Sequence, residues 1–144
     1  MAFARTALIQ ARPEQVFSVL SNPARAQEWM PAVQRIENLS SGLFGLGTQW
    51  QETRMAGKRT MQSTIRVVAF EPPTRLGLEV DAKALKGQLA FTLSPKDEGT
   101  EVRYEAEMQG RGLMRLMTGT INRMMAQEDS DILDRLRKQV EAGR

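Results

Sequence analysis

The chain has no cysteine and no histidine among its 144 residues. The first absence excludes disulfides, thiol catalysis and thiolate metal sites. The second removes the commonest metal ligand and the commonest general base, so neither a metal nor another cofactor is expected. No apolar run approaches the length a bilayer requires, and no transmembrane segment is expected. The opening residues, MAFARTALIQARPEQ, lack a basic head followed by a sustained apolar stretch, which reads as no secretion signal and a cytoplasmic location. Aromatics are sparse at 6%, and the cations behind the formal charge of +3 are scattered among acids along the whole length. A nucleic-acid binder clusters Lys and Arg on one face or interleaves them with stacking rings; the chain shows no such stripe, so nucleic acid is not an expected partner. Internal repeats, linkers and low-complexity tracts are missing as well, and the length suits a single domain over 1–144.

What the chain does have is a long amphipathic terminus. Between Arg111 and Ala142 there is no proline, and at about 100° per residue Met114, Met117, Ile121, Met124, Met125, Glu128 and Ile132 fall within one third of the circumference. Leu136 and Val140 extend the band. The pattern predicts one unbroken helix about 48 Å long, which needs an apolar surface to lie on. Glu128 sits within the stripe, and a carboxylate there must find a partner, raise its pKa or face a wet cavity.

Upstream, the periodicity changes. Phe3–Gln10 suits a first strand. Pro13 and Glu14 open a short helix with Val16, Phe17 and Leu20 on one face, and Asn22-Pro23 caps and starts a second that ends at Trp29. A period of two then runs through Val33–Leu39, Thr48–Ala56 and Arg59–Phe70. It returns around Leu76, Leu78 and Val80, around Leu89, Phe91 and Leu93, and in Thr100–Met108, whose Val102, Tyr104, Ala106 and Met108 oppose four charged residues. Loops are expected at 40–47, at 82–87 and at 95–99. Short hairpin connections imply an antiparallel sheet of seven strands with one apolar face, covered by the terminal helix. A sheet so twisted leaves space under the helix.

The chain resembles the helix-grip fold of the START and Bet v 1-like superfamily, closest to its bacterial polyketide cyclase/dehydrase and lipid-transport group. The likeness is carried by Ala11–Phe17, Trp29-Met30-Pro31-Ala32-Val33, Gly45-Leu46-Gly47-Thr48, Val67–Leu76 with Glu71-Pro72-Pro73, and Gly99-Thr100-Glu101-Val102. It implies an α+β domain: a curved antiparallel sheet gripping a C-terminal helix, with two short helices between its first two strands, and a cavity for an apolar or amphipathic small molecule.

On that fold the expected ligand contacts are Trp50, Met61, Ile65, Phe91, Tyr104 and Met108 from strands and Trp29 from the second short helix. The long helix adds Met117, Ile121, Met124 and Glu128. Thr48, Trp50, Glu52 and Arg54 alternate onto one face, so an inward Trp50 brings Glu52 and Arg54 with it, and Arg54 is then placed to pair with Glu128. The leading expectation is a binding module for a hydrophobic, lipid- or polyketide-like molecule. Second comes a cyclase or dehydratase in which Glu52, Arg54, Tyr104 or Glu128 moves protons, although no nucleophile and base are assembled. Third is a protein-interaction domain that uses the loop residues Leu43, Phe44 and Leu85; assembly as a homodimer is left open. Arg111, Arg115 and Arg123 in the first half of the helix, with Lys83 and Lys86, are candidates to attract an anionic head group.

Overall fold

The computed structural model describes residues 2–143; the end residues of the expected domain, Met1 and Arg144, lie outside them. Strand β1 (Phe3–Ile9) is followed by helices α1 (Pro13–Leu20) and α2 (Ala26–Trp29), the second entered through a 3-10 turn at Pro23–Arg25. Six strands follow: β2 (Val33–Asn38), β3 (Gln49–Ala56), β4 (Arg59–Glu71), β5 (Arg75–Ala82), β6 (Leu85–Lys96) and β7 (Gly99–Gly110). They form one antiparallel sheet in the order β1-β7-β6-β5-β4-β3-β2, so β1 closes onto the last strand and every other neighbour is a hairpin partner. The alternation in β7 is realised as expected: Val102, Tyr104, Ala106 and Met108 are all buried, while the intervening residues meet solvent.

Two loops are shorter than the sequence suggests, and one helix cap is made differently: Pro95 and Lys96 pair with Thr100 and Gly99, so the 95–99 loop shrinks to Asp97-Glu98. The 82–87 loop shrinks to Lys83-Ala84, because Leu85 already pairs with Gly110 in the ladder. The Asn22 side chain accepts no capping hydrogen bond; its backbone carbonyl accepts the Arg25 N–H at 3.0 Å instead, which closes the 3-10 turn.

The terminal segment is helical from Gly112 to Ala142 but is not one unbroken helix. It begins as a 3-10 helix (Gly112–Met117), continues as α3 (Thr118–Glu128), turns at Asp129-Ser130-Asp131 and resumes as α4 (Ile132–Ala142). Aspartate and serine compete with the helical backbone for hydrogen bonds, and here the ladder tightens. Ser130 N–H bonds the Gln127 carbonyl and Ile132 N–H the Asp129 carbonyl, both three residues back at 3.2 Å. The turn resets the phase of the apolar stripe. Helix α4 buries Ile132, Leu133, Leu136 and Val140, whereas α3 buries no residue completely. Among the described residues no helix is long and apolar enough to cross a membrane.

At its start the 3-10 helix is pressed against the end of β7. Gly112 has φ +57, a left-handed conformation natural to glycine, and a Cβ on Gly110 would run into the Met114 carbonyl. Gly110 N–H is held by Thr118 Oγ1 at 3.1 Å.

Removing side-chain volume beneath α4 and adding it at Gly110 are both expected to destabilise. Leu136, fully buried, should cost about 2–5 kcal/mol as Leu136→Ala. Gly110→Ala should cost about 1–3 kcal/mol through overpacking. Urea unfolding followed by circular dichroism measures both; an unchanged midpoint for Gly110→Ala would show that the 3-10 helix is not seated on the strand end.

Candidate binding site

Between the concave face of the sheet and the terminal helices lies a cavity of about 530 Å³. Its floor is built by the alternation of the strands. Trp50, Glu52 and Arg54 come from β3, Met61, Ser63 and Ile65 from β4, Leu78 and Val80 from β5, Leu85, Leu89 and Phe91 from β6, and Tyr104 and Met108 from β7. The register locks these rows together, with Trp50 opposite Ile65, Glu52 opposite Ser63, Arg54 opposite Met61 and Phe91 opposite Tyr104. Helix α3 forms the roof through Ile121, Met124 and Met125, and α2 supplies Trp29 at one side. The space persists because α3 is tied to β7 through Asn122, which bonds the Met108 backbone, and buries none of its own residues completely. A second depression, of about 480 Å³ between β1 and α4, is a groove on the outer surface lined by Ala4–Leu8, Asp134 and Arg137.

The lining is mostly apolar, with polar groups gathered on one side. Tyr104 Oη donates to Asp129 Oδ2 at 2.8 Å, and both residues are buried. Burial pushes the Asp129 carboxyl above its ordinary range, although the Tyr104 hydrogen bond and the charges of Arg54, Arg135 and Arg5 pull the other way. The same burial, together with the Asp129 charge, raises the Tyr104 hydroxyl well above its usual value, so it remains a neutral donor. Nearby, Arg54 Nε donates to Glu52 Oε1 at 2.6 Å, which leaves the buried Glu52 compensated. Arg135 Nε is anchored on the Trp29 carbonyl at 3.0 Å. Trp29 Nε1 and Trp50 Nε1 are buried and find no acceptor in the protein. An unpaired buried N–H is costly, and both of these belong to residues that line the cavity. Among the described residues no three potential metal ligands converge.

Of the sequence-predicted contacts, Trp29, Trp50, Met61, Ile65, Phe91, Tyr104, Met108, Ile121 and Met124 lie in the lining, as do Glu52 and Arg54. Three expectations need correction. Met117 lies outside the lining and is 45% exposed, because a 3-10 turn has three residues rather than 3.6 and the angular count breaks down there. Glu128 reaches the cavity only from an exposed position at its rim, whereas Asp129, one residue on, is the buried carboxylate. Arg54 pairs with Glu52, two residues away on its own strand face, and not with Glu128. Asp129 went unmarked in the sequence, yet a signal was present: Asp-Ser-Asp inside a helical run is a set of turn formers. Of the loop residues, Phe44 packs on Trp50 and Phe70 with ring centroids 6.0 and 5.7 Å away, Leu85 joins the lining, and Leu43 is exposed.

The raised Asp129 pKa fixes the sign of a pH dependence. The folded protein holds this proton more tightly than the unfolded chain, so the contribution is full below the unfolded carboxylate range and is lost as pH rises through the folded value. Asp129→Asn keeps an acceptor for Tyr104 and abolishes the titration. Its melting temperature minus that of the wild type should therefore grow more positive as pH is raised from about 4 towards neutrality. A difference independent of pH would show that Asp129 is not desolvated.

Comparison with known proteins agrees with this architecture. Residues 1–141 match the family described as polyketide cyclase / dehydrase and lipid transport. No curated protein matches the chain in sequence. Among solved structures, a START superfamily protein from Mycobacterium smegmatis superposes with a TM-score of 0.81 at 13% identity, over 99% of this chain and 98% of that one. The protein TTHA0849 from Thermus thermophilus gives 0.77 at 16% identity, over 97% of each chain. Ara h 8.0201 gives 0.75 at 18% identity, also over 97% of each. At such identities the likeness concerns the fold, a helix-grip domain shared with these structures, and the family match leads to one statement: the chain belongs to the polyketide cyclase / dehydrase and lipid transport family.

Proposed function

We propose that the protein binds an apolar small molecule carrying oxygen acceptors, such as a lipid- or polyketide-like carbonyl compound, in the cavity between sheet and terminal helices. The observation that carries this reading is the pairing of an apolar lining with two buried indole N–H groups that lack an acceptor. Arg54 and Trp50 from one strand and Trp29 from α2 are among the lining residues that carry side-chain donors. Ile65, Val80, Phe91 and Met108 hold the apolar body, and Met124 and Met125 supply a roof of flexible thioethers that adapts to shape. A cavity of about 530 Å³ lies within the range of small-molecule sites.

A second reading, proton transfer on such a molecule, has one observation in its favour. A buried carboxyl with a raised pKa, bonded to a neutral tyrosine and close to an arginine, suits a base that removes a proton α to a carbonyl while Arg54 stabilises the enolate oxygen. Here Asp129→Asn separates the readings: it should keep ligand binding and abolish turnover.

Both tryptophans of the chain line the cavity, so intrinsic fluorescence reports its occupancy directly. Titration with a long-chain fatty acid, and separately with an aromatic polyketone, should quench or shift this emission for at least one. Val80→Phe, which fills the floor, should weaken binding about tenfold, and Trp50→Phe, which deletes one donor, about three- to tenfold. Unaltered affinity in Val80→Phe would place the ligand elsewhere.

A further inference from the structure

Topology gathers at one end of the sheet the cations that are scattered in the sequence. The β3–β4 turn, the β5–β6 turn and the chain leaving β7 all emerge there. The segments 55–62, 82–88 and 108–127 carry Lys58, Arg59, Lys83, Lys86, Arg111, Arg115 and Arg123 and not one aspartate or glutamate. Of these, Arg111 is neutralised by Asp81 at 2.6 Å and tied to the Ala82 carbonyl at 2.8 Å, which fastens the start of the 3-10 helix to the β5–β6 turn. All seven are exposed. In the middle of this basic surface stand two leucines that the fold leaves uncovered, Leu113 at 89% and Leu116 at 88% exposure. Three residues apart in a 3-10 helix, they eclipse one another and form a single apolar prong, with Met114 and Met117 partly exposed beside it.

We propose that this end of the molecule docks on an anionic membrane surface, with Leu113 and Leu116 entering the interface and the surrounding Lys and Arg contacting lipid head groups. The two features fit together. Apolar side chains inserted among head groups and flanked by cations are what an anionic bilayer stabilises, each by its own mechanism. A second copy of the chain is the poorer occupant, because a two-fold interface would place this predominantly basic face, in which Asp81 offsets Arg111, against itself and oppose cation to cation. Nucleic acid has no use for exposed leucines, and no aromatic residue lies in these three segments to stack on bases.

The surface also adjoins the cavity. Leu85, Met108, Ile121 and Met124, which lie in or beside these segments, belong to the lining, and Met124 is 56% exposed. If the cavity reading is correct, an apolar ligand has a short path from bilayer to cavity under α3; that extension rests on the proposed function, whereas docking itself does not.

The test is flotation of the full chain with vesicles of phosphatidylcholine alone and of phosphatidylcholine mixed with phosphatidylglycerol, at low and high salt. The protein should float with the anionic vesicles at low salt and be released by high salt. Leu113→Ser/Leu116→Ser should lose about tenfold or more in vesicle affinity. Arg115→Gln/Arg123→Gln should lose about fivefold per charge removed. All four positions are solvent-exposed and outside the cavity lining, so melting temperature and fatty-acid quenching of the tryptophans should stay at wild-type values; a cavity failure and a docking failure are thus told apart. Failure of the wild type to float, equal flotation of the leucine variant, or salt-insensitive binding to neutral vesicles would each overturn the proposal. So would a lipid-free dimer, seen by analytical ultracentrifugation, that the leucine variant dissociates.

Discussion

The hydrogen bond from Tyr104 to Asp129 joins the middle of strand β7, beside the edge strand β1, to the point where the terminal helix breaks, and the rest of the architecture follows from that junction. Beyond the break, α4 sinks against the molecule and buries Leu136 and Val140. Before it, α3 bridges the concave face as a roof that buries nothing completely. One continuous helix would have to sit at a single height along its length. The turn at Asp129–Asp131 lets half the rod serve as core while the other half leaves room beneath it.

That division also explains the electrostatics. The junction is buried, so the aspartate carries a desolvation cost that three neighbouring arginines do not fully offset, and its proton affinity rises. Glu52 meets the same low-dielectric surroundings with Arg54 on its own strand face. The polar groups therefore collect on one side of an otherwise apolar space, in residues facing one another across β3, β7 and the helix break. Under the proposed function, such an arrangement would orient an amphipathic molecule.

Much of this was legible in the chain. A strand has a period of two, and one inward residue settles all the others on its face; Trp50, Glu52 and Arg54 share one face, as do Val102, Tyr104, Ala106 and Met108. Helical reading is less forgiving. Each residue adds about 100°, so the difference between Glu128 and Asp129 is the difference between rim and interior. A local change to a 3-10 turn moved Met117 out of the site. Its neighbours Leu113 and Leu116, which the helical stripe did not contain, turned out to be the most exposed leucines of the terminal segment.

Sequence alone determined the order of the strands and helical segments, the antiparallel sheet with one wet face and the cover by a C-terminal helical segment, because alternation, turn residues and spacing are local properties that each segment carries with it. Only the tertiary structure decided which carboxylate is buried, which partner Arg54 takes, and that seven cations far apart in the chain share one end of the sheet. Those outcomes depend on distances through space between segments, and hairpin topology sets these in a way that no single stretch of residues records.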